Sequence, residues 1–192
     1  MLNLSVVVVT WNRPQLLAHC LYQYRQQLNS IETECIVVSD GPDAKAAAIA
    51  AYYKCRYIEI PQRINDWGAT PRDVGIAAAV GSYVVTWDDD NIYHPHAIDC
   101  LYKAASGFDI GVCQCVHWEG TQCRTIPPTG STYVQHREVD AMCPCVRREV
   151  AQATKWATPP NTPYECDFRW LESLVSKGAT TNFVPVVIGE HL

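Results

Sequence analysis

Four short runs rich in apolar and β-branched residues, Ser5–Thr10, Cys35–Ser39, Cys55–Ile60 and Ser82–Trp87, alternate with helical patterns through the first half of the chain. That alternation marks βα units, in which a crossover helix returns the chain to the next parallel strand. Ser5–Thr10 shows no polar alternation, as a strand buried on both faces requires. Pro14 opens a helix that gathers Leu16, Leu17, Cys20, Leu21 and Tyr24 on one side. Ala44–Tyr53 reads as a second helix and Pro71–Val80 as a third, with Gly81 as its C-terminal cap. Gly75 and Ala77–Ala79 would let that third helix lie close to the sheet. Pro95–Ala105 is a fourth helix.

Beyond Gly107 the pattern changes to expected strands at Ile110–Trp118, Ser131–Gln135 and Val139–Val146. A short helix over Arg147–Thr154, a proline-containing loop over Trp156–Tyr164, a helix over Glu165–Lys177 and a last strand over Thr180–Ile188 complete the chain. The expected fold class is α/β: a mostly parallel central sheet flanked by helices, with a smaller part of mixed strands. One domain over residues 1–192 is expected, its halves meeting near residue 107.

The hydrophobic fraction of 48% is too high for a disordered chain, and a formal net charge of −5 excludes the basic footprint of a nucleic-acid binder. No run approaches the roughly 18 apolar residues of a transmembrane helix. The N-terminus lacks the basic region and cleavage site of a signal peptide. A cytoplasmic protein is therefore expected, meeting a membrane surface only through its acceptor. Ten cysteines include the pairs Cys113/Cys115 and Cys143/Cys145, whose C-x-C spacing puts both members on one strand face. Buried reduced thiols fit them better than a zinc site across two strands.

Polar groups gather where strands end. Ser82–Trp87 runs straight into Asp88-Asp89-Asp90-Asn91. Three adjacent carboxylates repel one another unless a cation neutralises them, and hard divalent ions suit carboxylate and phosphate oxygens. Asp40 follows the second strand in Ser39-Asp40-Gly41, where a carboxylate can accept from a base edge or ribose hydroxyls. Thr10-Trp11-Asn12-Arg13 follows the first strand and offers a hydroxyl, an aromatic face and a cation. In open α/β sheets, ligands bind beyond the carboxyl ends of the strands.

On these residues the chain resembles the family 2 glycosyltransferases of the GT-A, Rossmann-like fold. Val6–Arg13 is similar to their first strand and its "TYNR" end, Val37–Gly41 to the "DDGS" turn, and Pro71–Tyr83 to the "aRN-G" helix, with Asp73 in place of Asn. Asp88–Tyr93 resembles the DxD segment. The resemblance implies a nucleotide diphosphate-sugar donor, UDP-sugar favoured over GDP- or dTDP-sugar, and a carbohydrate or other hydroxyl acceptor. It implies that Asp40 and Arg72 touch the nucleobase, that Trp11 packs on it, and that Thr10, Arg13, Asp88 and Asp89 border the nucleotide-sugar. Mn²⁺ or Mg²⁺ would be held by Asp90, with Asp88 or Asp89 beside it and His191 completing the shell. The residues before Gly178, Glu165-Cys166-Asp167, resemble the family's "ED" and make Asp167 the catalytic base, with Glu165 its rival. On this reading residues 1–107 bind the donor, and 108–192 supply the acceptor site and the base.

Trp118, Trp156 and Tyr164 are candidate sugar platforms, at least one of them a core residue instead. Two other functions fit parts of the pattern. A sugar-nucleotide nucleotidyltransferase would need a glycine-rich loop after the first strand, which Thr10–Pro14 lacks. A catalytically inactive nucleotide-sugar-binding module would explain the split "ED".

Overall fold

Strand β1 (Leu4–Thr10) is buried along its whole length because strands flank it on both sides and helices cover both faces. It pairs in parallel with β2 (Thr33–Ser39) and β4 (Tyr83–Asp88), and β2 pairs in parallel with β3 (Arg56–Glu59). The computed structural model describes residues 2–130, 135–157 and 162–192. Among them one sheet of nine strands runs through both halves of the chain. Beyond β4 it continues with β8 (Pro144–Arg147), antiparallel to β4, and β6 (Ile110–Glu119), antiparallel to β8, then β9 (Thr181–His191), parallel to β6, and β5 (Ile92–Tyr93), antiparallel to β9. β7 (Gln122–Ile126) forms a hairpin with β6.

The helices follow the sequence pattern. α1 (Pro14–Arg25) starts at its proline, and α2 (Ala44–Tyr52) is capped by Asp43, whose carboxylate accepts from the amides of Lys45 and Ala46 at 3.0 Å. α3 (Ala69–Ala78) lies on β1 and β2. α4 (Ala97–Ala105), α5 (Arg148–Gln152) and α6 (Cys166–Ser176) follow.

Several boundaries differ from the expectations. Gly81 does not cap α3, which ends at Ala79; Gly81 instead lies against the backbone of Leu4 and Ser5, where a side chain would collide. β6 takes its hairpin partner from Gln122–Ile126, a mostly exposed and polar edge strand with no apolar run to announce it. The strand expected over 131–135 lies outside the described residues except for Gln135. The strand expected from Val139 starts only at Pro144, because Asp140 turns the chain. Its carboxylate accepts from Met142 N at 3.0 Å, and its carbonyl accepts from Cys143 N at 3.0 Å. The last strand runs on through His191 instead of stopping at Ile188.

Gly75 shows how tightly α3 sits. A β-carbon there would collide with Val7 and lie 3.1 Å from Val38. Ala is a better helix former by about 1 kcal/mol, but overpacking against a fully buried strand costs about 1–3 kcal/mol. Gly75→Ala is therefore expected to lower stability in urea denaturation; an unchanged or raised midpoint would mean that β1 yields.

Candidate active site

The carboxyl ends of β1, β2 and β4 open onto a cleft of about 1130 Å³. Thr10, Trp11, Arg13, Asp40, Arg72, Asp88 and Asp90 line it from the first half of the chain. Glu165, Asp167 and His191 line it from the second. Of the candidate donor, metal and base residues, Asp89 alone does not line it, being buried behind Thr10 and Arg13.

The three consecutive aspartates are separated by the direction each side chain takes. Asp88 Oδ1 meets Arg72 Nη2 at 2.5 Å, and Arg72 is itself buried. Burial raises the Asp88 carboxyl above the usual range, against the pull of Arg72. Asp89 accepts from the Thr10 hydroxyl at 2.5 Å and meets Arg13 Nη2 at 2.5 Å. Burial still pushes it up to about 6. Asp90 is the most exposed of the three and meets the other terminal nitrogen of Arg13 at 2.5 Å. The repulsion that the sequence suggested a divalent ion must relieve is thus met in large part by two guanidinium groups.

Asp40 organises the rim of the cleft. Its two carboxylate oxygens accept from the amides of Ile64 and Asn65 at 2.8 and 2.9 Å, and so fix the loop between β3 and α3. The Trp11 ring packs directly on Gly41, with the Arg63 guanidinium 5.2 Å from its centroid. Arg72 donates to the carbonyl of Trp67 at 2.9 Å and lies over the Trp156 ring at 5.0 Å. Asp73, unusual in place of Asn, accepts from the amides of Trp156 and Ala157 at 2.9 and 3.2 Å. It anchors the second half of the chain to α3.

Asp167 sits in the first turn of α6, where its carboxylate accepts from Phe168 N at 2.7 Å. Burial and then the nearby Asp140 charge push its carboxyl up to about 6. Glu165 turns instead to His136, 3.2 Å away on the rim.

His191 stacks on His117 with ring centroids 4.5 Å apart, and its Nδ1 lies 3.0 Å from Asp140 Oδ2. That carboxylate pushes the His191 imidazole up to about 9. Neither His117 nor Asp140 stood out in the sequence. Alternation along β6 puts His117 on the face of Cys113 and Cys115, but its partner strand lies far along the chain.

Of the expected aromatic platforms, Trp156 is a core residue stacked on Trp170 at 4.4 Å. Trp118 donates from Nε1 to Glu190 at 2.8 Å. Tyr164 stands exposed at the cleft mouth, edge-to-face with exposed Trp67 at 5.1 Å. Cys113, Cys115, Cys143 and Cys145 are buried and unoxidised, with Cys115 and Cys143 sulfurs 3.6 Å apart. Burial pushes the Cys113 thiol up to about 12.

The model of glycosyl transferase family 2 matches residues 5–160. The chain belongs to glycosyl transferase family 2. No curated protein matches this family 2 chain in sequence. Among solved structures, S. aureus TarS 1-349 is similar with a TM-score of 0.78 at 14% identity, over 98% of this chain and 60% of that one. The same TarS fragment in complex with UDP gives 0.80 at 13%, over 99% and 60%. The mannosyltransferase PcManGT from Pyrobaculum calidifontis, in complex with GDP-Man and Mn²⁺, gives 0.73 at 15%, over 98% and 56%. At such identities the likeness is one of fold, the GT-A α/β architecture expected above, and this chain spans about three-fifths of the TarS fragment.

The resemblance implies a divalent ion, and the donors present suit one. Among the described residues, His117, Asp140 and His191 form the one cluster of ligating side chains compact enough to hold an ion, with ligand atoms all within 4.8 Å of one another. Nδ1 of each histidine is buried without a hydrogen-bond partner. His191 was expected to ligate; Asp88 and Asp90 lie outside this cluster, each on its arginine.

The buried Arg72–Asp88 pair yields a stability test. Removing one partner strands the other charge, which typically costs about 3–5 kcal/mol. Arg72→Met is expected to destabilise by about that much in urea denaturation, and Arg72→Met/Asp88→Asn to recover most of it. A double variant no more stable than the single one would show that the pair is not the reason for the loss.

Proposed function

We propose that this chain transfers a sugar from a nucleotide diphosphate-sugar to an acceptor hydroxyl, with inversion at the anomeric carbon. One observation carries the reading: a single cleft brings Trp11, Asp40 and Arg13 from the donor half together with a carboxylate, Asp167, from the other half. Support for the donor class comes from family 2 membership and from neighbours solved with UDP, UDP-GlcNAc and GDP-Man. UDP-sugar is the donor we favour. The cytoplasm is the compartment we propose, with the acceptor as the link to any membrane. No helix among the described residues is long and apolar enough to cross one.

In this mechanism Trp11 and Asp40 receive the base and ribose, and Arg72 holds the floor beneath them through Trp67 and Asp88. Arg13 turns from Asp90 to the diphosphate. That exchange is cheap, because a half-exposed ion pair is worth only about 0–1 kcal/mol. Asp90, Asp88 and His191 would then hold Mn²⁺ or Mg²⁺ beside the phosphates. When bound, the ion supplies positive charge against the negative charge that gathers on the leaving nucleoside diphosphate. Asp167 takes the proton of the acceptor hydroxyl as its oxygen bonds to the anomeric carbon from the face opposite the diphosphate. The sugar–phosphate C–O bond breaks, and its electron pair leaves with the nucleoside diphosphate.

General-base help is typically worth about 10²–10⁴-fold. Asp167→Asn is expected to lower kcat by that amount, read as nucleoside diphosphate release from a UDP-sugar panel, with donor affinity retained. Glu165→Gln is expected to stay near wild type, since Glu165 is engaged by His136. Loss of nucleotide binding with residual rate intact in Asp167→Asn would assign the base elsewhere.

The base also sets a pH dependence. A carboxyl raised to about 6 is protonated and inactive below that pH. Activity should therefore fall about tenfold per pH unit below about 6 and level off above it. A profile flat down to the usual carboxylate range would remove Asp167 from this role.

A further inference from the structure

We infer that His117, Asp140 and His191 form a binding site for one first-row divalent transition ion, and that it fills without nucleotide. The donor reading above gives the ion its purpose; its binding depends only on these three side chains.

Strand register builds the site. β6 and β9 start in parallel with Ile110 facing Thr181, and two irregularities then shift the pairing, between Val112 and Gln114 and between Gln114 and Val116. Had the first register held, His117 would face the buried, apolar Ile188. Instead it faces His191, and the imidazoles stack with centroids 4.5 Å apart. Bulges that re-aim side chains are common beside functional sites.

The third donor is fixed independently. Asp140 stands in the turn before β8, where Oδ1 is committed to Met142 N at 3.0 Å and Oδ2 is left facing His191. Asp140 is buried and no lysine or arginine pairs with it among the described residues. A buried carboxylate in that position needs a cation, which the His191 imidazolium supplies until an ion displaces its proton. His191 Nδ1 has only that carboxylate oxygen, 3.0 Å away, and the buried Nδ1 of His117 has no hydrogen-bond partner. Three donors whose ligand atoms lie within 4.8 Å of one another, one of them without a partner, can converge on one ion.

The donor chemistry selects the ion. Two imidazoles and one carboxylate favour Mn²⁺, Fe²⁺, Co²⁺ or Zn²⁺ over Mg²⁺, which prefers an all-oxygen shell. Three protein ligands leave positions open on the cleft side, where a diphosphate would lie. Asp90 is not among the three, being held by Arg13.

Mn²⁺ binding by the nucleotide-free full chain, followed by electron paramagnetic resonance, tests this directly. One Mn²⁺ per chain is expected, with imidazole nitrogen couplings in the pulsed spectrum and little displacement by excess Mg²⁺. His117→Gln and Asp140→Asn should each weaken it by at least the 10–100-fold typical of supporting residues around a metal. The nitrogen couplings of His117→Gln, halved in a protein that still binds, separate ligand loss from misfolding. Absence of bound Mn²⁺ at millimolar concentration without nucleotide would overturn the site, as would wild-type binding in both variants. UDP binding measured in EDTA by calorimetry tests the donor reading separately: Mn²⁺ held by the three residues in a chain blind to nucleotide would sink that reading and spare this one.

Discussion

A strand covered on both faces has nowhere to keep a charge except at its end. β1 and β4 are such strands, and every charged group they deliver is displaced to one edge of the sheet. The chemistry of the chain is concentrated there as a consequence. Thr10, Trp11 and Arg13 leave β1 where Asp88, Asp89 and Asp90 leave β4, and the parallel register of the two strands brings them together. The cost of gathering three carboxylates at one buried edge is offset by Arg13 and Arg72, which come from the segments on either side. The two arginines are not equivalent. Arg72 is buried and bound on three sides, by Asp88, the Trp67 carbonyl and the Trp156 ring, so it is framework. Arg13 is partly exposed, and its Nη1 can leave half-exposed Asp90 at little cost while Nη2 stays on buried Asp89.

That difference tells which parts of the cleft are preorganised. Asp40 spends both oxygens on loop amides, and Asp73 does the same for the segment at Trp156, so the walls are held by carboxylate–amide contacts. The groups left with spare capacity are Asp90, Asp167 and the two histidines. They face the cavity from different elements and have few competing partners. A site that keeps its walls satisfied and its interior groups in reserve loses little when a ligand enters.

The first half of this arrangement was legible in the sequence because its information is local. A βα unit announces its strand by an apolar run, its helix by periodicity and its functional end by the polar residues between them, all within about 30 residues. Asp40, Arg13 and Asp88–Asp90 could be placed on one edge from that pattern alone, once the strands were taken as parallel. The second half is non-local. His117 and His191 meet only through the β6–β9 pairing and its two register shifts, and no spacing along the chain encodes a shift. Asp140 looked like part of a strand because Val139–Val146 is apolar, yet its side chain makes the turn that ends that run early. β7 was missed because an exposed edge strand such as Gln122–Ile126 needs no apolar face. Even the Asp88–Asp90 cluster was legible only in part: its position could be read, but its neutralisation by Arg13 and Arg72 required the fold.

Neutralisation by arginine changes what an ion would do here. Had the three aspartates been unpaired, a divalent cation would be a structural need, and the free chain would be strained without it. With Asp88 and Asp89 already satisfied, the acidic end of β4 stands without a metal, and the remaining demand for positive charge moves to the other side of the cleft, at Asp140. Two centres of charge then line one cleft: guanidinium groups at the ends of β1 and α3, and an imidazole pair with one carboxylate at the end of β9. A diphosphate bound between them would be countered from both sides, and the carboxylate of Asp90, released from Arg13 by the incoming phosphate, would be free to turn toward the second centre. Donor binding and completion of the ion's shell would on this account be one event, because the same guanidinium serves as partner first to Asp90 and then to the phosphate.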